Sequence, residues 1–388
     1  MLGTTLLRVT ESEGNVDRLR GGRSRRFRGS DGAVHRRLWI LLARSSSHGS
    51  RSAYARCRHR VDLVGAGHQR VSGRLRLEVG RDVLAVGDCG LLDDAAEAMQ
   101  EFTTPHSTAV RMAAQLADPR FAYCGFYDAD SEVPGLGDWI EQLIAESTGK
   151  NGRGVLPIVT KKSESDMYPV IGFTNKHELA VVGPLGAQFI FWEWVTALLG
   201  YLLNVDPFNQ PNVTESKERT GALLSDWEAS PLAHERAIFE TSSIAIYSSA
   251  RCSDLSEYLK SSVESSRGYL AIMAYLNREK DSEIVEFREV LEKKAKRPTT
   301  FGWGPRFLHS TGQFHKGGPL TGSFIQITAD STEDVEIPGA GYGFQRLILA
   351  QALGDNQALV ARELPVLRLH LKDREMGIKE ILAVARAL

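Results

Sequence analysis

Three stretches of this 388-residue chain place carboxylate, imidazole and cationic side chains where they could do acid/base chemistry on an anion. The first is PGLGDWIEQLIAESTGKNGRG, Pro134 to Gly154. Asp138 is the expected N-cap of a helix there, and Trp139, Leu143 and Glu146 recur at i, i+4 and i+7 on one face. Glu146 therefore shares the apolar stripe. Such a carboxylate usually pairs with a nearby cation, here Lys150 or Arg153. Alternatively, partial burial raises its pKa and makes it a usable base.

The second stretch is DPFNQPNVTESK, Asp206 to Lys217. Pro207 and Pro211 stiffen a loop that leads into a helix. Asn212 or Thr214 is the expected cap, with Glu215 placed as a capping carboxylate. Lys217 is then expected in the first helical turn, where an ammonium opposes the helix dipole unless it faces a bound anion. A solvated surface lysine is the plainer reading of any single such residue.

The third is GPRFLHSTGQFHKGGP, Gly304 to Pro319, expected as a glycine-rich loop. It concentrates Arg306, His309, Ser310, Thr311, Gln313, His315 and Lys316. Isolated histidines are more often structural than catalytic. Two histidines with two cations and two hydroxyls suit a phosphorylated, hydroxyl-rich ligand better.

The elements around these stretches alternate. GVLPIVT and LAVVG read as strands. FIFWEWVTALLGYLL, apolar nearly all round, reads as a core helix in which Glu193 is either a paired structural acid, the favoured reading, or part of the site. From residue 253 onward helices and strands take turns: SDLSEYLKSSVES, GYLAIMAYL, SEIVEFREVLEKKAK, TTFGW, GSFIQITA, FQRLILAQALGDNQALVAREL, PVLRLHL and a terminal helix. This order predicts an α/β fold with a doubly wound parallel sheet, whose ligands bind at the carboxyl ends of strands. The segment Ser225 to Ser243 is expected as a polar connection.

DPFNQPNVTESK resembles the carboxyl-terminal signature of glucose-6-phosphate isomerases, closest to the isomerase half of bifunctional transaldolase/glucose-6-phosphate isomerases. ESTGK, Glu146 to Lys150, resembles the family's Glu-Ser-x-Gly-Lys segment, and HSTGQFHKGG resembles the bifunctional type. The resemblance spans about Gly137 to Leu371 and none of the transaldolase half. It departs in two ways: the Lys217 motif runs Val-Thr-Glu rather than Val-Glu, and the histidine segment follows that motif instead of preceding it.

The resemblance implies a sugar isomerase domain type of fold and the glycolytic and gluconeogenic interconversion of glucose 6-phosphate and fructose 6-phosphate through an enediol. It implies Glu146 as the base, Lys217 as a ring-opening and substrate-holding cation, and His309, with His315 second, for acid/base work on the sugar ring. Arg306, Gln313, His315 and Lys316 are implied as substrate-binding. It implies no metal or organic cofactor, a small-molecule sugar phosphate as partner, no membrane or nucleic acid, and a homodimer. The alternative function is a non-catalytic sugar-phosphate-binding remnant of such an isomerase.

Composition is that of a globular protein. Cys57, Cys89, Cys124 and Cys252 lack metal-site spacing and read as free thiols of a reducing compartment, the cytoplasm. The opening MLGTTLLRVTESEG carries acids too early for a secretory signal. The longest apolar run, Phe189 to Val205, is interrupted by Glu193 and reads as a core helix rather than a membrane span.

The net charge of −1 conceals an asymmetry. Residues 1–90 hold 18 Arg, no Lys and 8 acids, a balance of +10, and the remainder holds 29 basic and 40 acidic residues, −11. The first lysine is Lys150. Runs such as GGRSRRFRGS have no helical or strand periodicity. Three explanations compete: a nucleic-acid-binding arm, an organelle transit peptide, and sequence translated out of frame. Shifted by one base, Trp39-Ile40-Leu41-Leu42 can spell Gly-Ser-Ser-Leu, and Val83 to Cys89 can spell Ser-Ser-Gln-Ser-Gly-Thr. Both resemble the family's phosphate loops. Residues 1–125 are therefore expected as an atypical, disordered or off-frame segment, and 126–388 as the α/β domain.

Overall fold

The computed structural model describes residues 8–11, 91–102, 104–229, 236–331 and 334–388. The question of the arginine-rich segment therefore lies almost wholly outside the described residues. In chain order the elements are β1 (Arg8–Glu11), α1 (91–102), α2 (Thr108–Leu116), β2 (Tyr123–Tyr127), α3 (Leu136–Thr148), β3 (Leu156–Val159), β4 (Val170–Gly172), β5 (Leu179–Val182) and α4 (Leu185–Leu203). There follow α5 (Pro211–Ala229), β6 (Phe239–Glu240), β7 (Ile244–Ser248), α6 (Leu255–Ser265), β8 (Tyr269–Ala274), α7 (Glu286–Ala295), β9 (Thr299–Trp303), α8 (Thr311–Gly317), β10 (Gly322–Ala329), α9 (Phe344–Val360), β11 (Val366–Leu371) and α10 (Arg374–Ala387).

Two compact units share the chain. One comprises 1–118, 128–134 and 171–202; the other comprises 119–127, 135–170 and 203–388. In the first, β1 pairs antiparallel with β5, and α4 buries Phe191, Trp192, Val195, Leu198 and Leu199 while Glu193 faces out. Among the described residues no helix is long and apolar enough to cross a membrane.

The second unit carries the fold that matters for the chemistry. Its six-stranded sheet runs β6-β7-β11-β10-β8-β9. β11, β10, β8 and β9 are mutually parallel, and β7 and β6 close one edge antiparallel. Strands buried on both faces should read as continuous apolar runs, and β8 (YLAIMA) and β10 (GSFIQITA) are buried at every residue. The period of two sends alternate side chains to opposite layers. Leu270, Ile272, Ile325 and Ile327 meet Leu255, Leu259, Phe287, Leu291, Ile381 and Leu382 of α6, α7 and α10. Tyr269, Ala271, Met273 and Phe324 meet Ala145 of α3, Phe314 of α8 and Ala352 and Leu359 of α9. Helices thus cover both faces of a parallel sheet, as the alternating sequence predicts.

Several local expectations are corrected. α3 starts at Leu136 after a left-handed Gly135 (φ 96°), so Asp138 lies in the first turn instead of capping. α5 starts at Pro211, whose fixed φ and missing N–H suit a first helical position. Asn212 and Thr214 are therefore inside the helix, and Lys217 sits a turn deeper than expected. Gly304–Pro319 is not a loop: a 3-10 turn (Arg306–His309) runs into α8. The supposed polar connection after Ser225 continues α5 to Ala229.

Candidate functional site

All seven candidate residues belong to the second unit, on three segments. Glu146 is in the last turn of α3, Lys217 in the second turn of α5, and the rest lie between Arg306 and Gly317.

Glu146 is only 8% exposed. Burial raises its pKa above the ordinary carboxylate value, against a hydrogen bond from Gln142 and the charges of Lys150 and Lys217. The ammonium of Lys150 does not close on Glu146. It is buried and donates to the Asp206 carbonyl at 2.6 Å, with its pKa lowered mainly by burial. Arg153 is likewise occupied, donating to the Leu203 carbonyl at 2.6 Å. The expected pairing of Glu146 with Lys150 or Arg153 is thus replaced by two clamps on the segment before α5. Those clamps satisfy carbonyls that precede a helix beginning with proline.

Lys217 and His309 are both exposed. The imidazole of His309 is held below its usual pKa, by desolvation first and then by the charges of Lys217 and Lys316. One ammonium, Lys217, therefore acts electrostatically on both Glu146 and His309. Burial raises the Glu146 pKa in spite of Lys217, and the imidazole of His309 is biased toward its neutral form, which can accept a proton.

Arg306 is exposed and tethered. Its Nη1 lies 3.2 Å from Asp138 Oδ1 and 4.0 Å from Glu141 Oε1, and its Nη2 donates to the Asp138 carbonyl at 3.2 Å. Glu141 is a group the sequence reading passed over. It is buried, and desolvation pushes its pKa up to about 7 despite the Arg306 charge, with Asp138 raising it further and a hydrogen bond to Ser310 lowering it. The available signal was its place on the buried face of α3 together with Ile140, Ile144 and Ala145.

The remaining three residues lie beneath this surface. His315 is buried, stacked on Tyr269 (ring centroids 5.6 Å apart) and sharing a 2.9 Å hydrogen bond with its hydroxyl through Nδ1. Burial, and secondarily Lys316, pushes its pKa down to about 3. Lys316 is buried against Asp355 (Nζ–Oδ1 2.5 Å). Gln313 is fully buried and bonded to Gly149 and Asn212. Among the described residues no group of three or more His, Cys, Asp and Glu side chains converges as a metal site. Cys124 is buried, and desolvation pushes its thiol pKa well up.

The fold so defined is α/β with a largely parallel sheet covered on both faces. No protein-family model and no curated protein matches the chain. Among solved structures it is similar to a hypothetical protein from Thermus thermophilus, at 14% identity over 80% of this chain and 88% of that one, with a TM-score of 0.29. It is also similar to the C-terminal domain of glucosamine-fructose-6-phosphate aminotransferase from Francisella tularensis, at 8% identity over 76% of this chain and 92% of that one, with a TM-score of 0.25. At such low TM-scores neither likeness bears on what the chain does.

Proposed function

We propose that the chain is an aldose–ketose isomerase interconverting glucose 6-phosphate and fructose 6-phosphate through an enediol. The observation that carries this reading is the convergence of the three isomerase-like segments, ESTGK, DPFNQPNVTESK and HSTGQFHKGG, which hydrogen bonds from Gln313 to Gly149 and Asn212 tie together. The charge of Lys217 also lowers the pKa of both candidate proton acceptors, Glu146 and His309.

The roles follow from the chemistry. His309, neutral near pH 7, takes the hydroxyl proton of the cyclic sugar and returns it to the ring oxygen as the ring opens. Glu146 then removes the proton from C1 of the open-chain ketose and delivers it to C2, while the C1 hydroxyl gives up its proton and the C2 oxygen gains one by exchange with solvent water. Its raised pKa brings it closer to the acidity that efficient proton transfer favours. Lys217 offsets the negative charge that develops on the enediolate oxygens. Arg306, exposed beside the same face and oriented by Asp138, is the second cation available to a phosphate. Gln313, His315 and Lys316 support this surface from below.

The test is an isomerase assay on the full chain, from fructose 6-phosphate to glucose 6-phosphate, with Glu146→Gln beside it. Run in deuterated water, the reaction incorporates solvent deuterium at C2 if an enediol forms. We expect activity in the wild type and a loss of roughly 10²- to 10⁴-fold in the variant. A folded wild-type chain that binds fructose 6-phosphate without turning it over would replace this reading with a sugar-phosphate-binding remnant.

A further inference from the structure

Buried inside α8, Gln313 meets groups at the ends of two other helices with one amide. Its Nε2 donates to the Gly149 carbonyl at 2.9 Å and to Asn212 Oδ1 at 2.7 Å. Its Oε1 accepts from the Asn212 N–H at 3.1 Å. Gly149 is the C-cap of α3 and Asn212 the second residue of α5. The last carbonyls and the first N–H groups of a helix have no partner within the helix. Gln313 satisfies one of each at once. Both of its amide hydrogens are thereby used.

We propose that Gln313 is the positioning residue of this site, the strut that fixes the end of α3 and the start of α5 against α8. The sequence offsets give the strut its leverage. Gly149 is three residues after Glu146, Asn212 five before Lys217, and Gln313 four after His309. Each candidate catalytic residue stands within five residues of an anchor point along the chain. The catalytic roles rest on the isomerase reading above; the strut itself does not.

The glycines around it show how close the three segments come. A Cβ at Gly149 would lie 2.4 Å from the Phe314 Cα. One at Gly317 would lie 2.4 Å from Asn212 Oδ1, 2.5 Å from the Gly149 carbonyl oxygen and 2.6 Å from Gln313 Nε2. Only glutamine fits this node. Glutamate has no hydrogen to give the Gly149 carbonyl, asparagine is one methylene short, and methionine fills the space without any of the three bonds.

The experiment compares wild type, Gln313→Met and Asn212→Ala. Asn212→Ala removes one acceptor and keeps the backbone bond, so it is the milder variant and decides the matter if Gln313→Met does not fold. Two readouts are taken. Amide exchange in the peptide spanning Asn212, with the His309 titration followed by NMR, reports the strut whether or not the chain turns over sugar. Steady-state kinetics reports its consequence. For Gln313→Met we expect at least roughly tenfold faster exchange at Asn212, a His309 titration moved up toward the ordinary value as Lys217 drifts away, and kcat down on the order of 10²-fold with KM changed only a few-fold. Asn212→Ala should move each in the same direction by less. Unchanged exchange and unchanged His309 titration in the folded variants would overturn the strut. Faster exchange with unaltered kcat would make Gln313 a structural residue only. An inactive wild type with the exchange and titration changes present would sink the isomerase reading and leave the strut standing.

Discussion

Lys150 Nζ donates to the backbone carbonyl of Asp206 at 2.6 Å, and this bond joins the ESTGK stretch to the loop that opens α5. The two stretches look independent in the sequence, yet each completes the other. Lys150 is buried and has its partner on that loop. Asp206 in turn organises the loop, accepting from the Phe208 N–H at 2.9 Å and from Asn209 Nδ2 at 2.9 Å. One direct path from the Glu146 segment to the Lys217 segment thus runs through a charge-assisted hydrogen bond, alongside the link through Gln313.

Replacing Lys150 with methionine should break that path. A hydrogen bond to a charged group contributes roughly 1.5–3 kcal/mol, and the Asp206 carbonyl would lose its partner. The denaturation midpoint should fall accordingly. Lys150 also lowers the pKa of Glu146, so the acid limb of the isomerase pH profile should move to higher pH in the variant. A profile with the wild-type acid limb would separate Lys150 from the site.

Lys217→Met tests the shared cation. Removing a nearby positive charge disfavours the carboxylate form of Glu146 and favours the imidazolium form of His309. Both pKa values should therefore rise. The low-pH edge of kcat/KM should shift upward together with a loss of activity. If neither group's titration moves when followed by NMR, Lys217 is not their common neighbour.

Glu141 predicts a stability signature at odds with most paired carboxylates. Its pKa rises from 4.5 to about 7 on folding, so the folded state binds the extra proton between those values. Its contribution is most favourable below pH 4.5 and is lost as pH climbs through about 7. Glu141→Gln should consequently gain stability over the wild type as pH rises from about 4 to about 8, by at most roughly 3 kcal/mol from the size of the shift. Urea midpoints of both proteins across that range would check it. A wild-type minus variant difference that is flat with pH would mean that Glu141 is not held protonated.

The Lys316–Asp355 pair invites a double-mutant cycle. Both side chains are buried, and among the described residues Asp355 Oδ2, Tyr275 Oη and Gln326 Oε1 have no hydrogen-bond partner. Asp355→Leu alone leaves an unpaired buried ammonium and should cost about 3–5 kcal/mol. Adding Lys316→Met should recover most of that loss, because an apolar pair of similar volume needs no desolvation. Chemical denaturation of the four proteins gives the coupling directly. A double variant no better than the single would show that the pair is not an isolated two-body interaction.

How far the molecule could be read in advance differs between its levels. The alternation of strand and helix patterns and the acid-to-base polarity of EFREVLEKKA identified the parallel strands and the α7 helix correctly, since these are patterns legible along the chain. Boundaries fared less well. Asp138, Asn212 and Thr214 have capping side chains, but Gly135 and Pro211 set the helix starts by backbone conformation, and that moved Lys217 a turn inward. The glycine-rich stretch around His315 became a seven-residue helix because its partners, Tyr269, Asp355, Gly149 and Asn212, come from elsewhere in the chain.

The same divide holds for the chemistry. By itself the sequence determined which side chains were available: an acid on an apolar helix face, a lysine after a proline-rich loop, and two histidines with two cations in one short run. Only the tertiary structure decided which of these face solvent and which are consumed inside. His309 and His315 are six residues apart and were near-equivalent candidates, yet one is exposed and the other is stacked on Tyr269 with its pKa pushed to about 3. Desolvation is the physical reason. It depends on every chain segment packed around a group, and no spacing within one stretch encodes it.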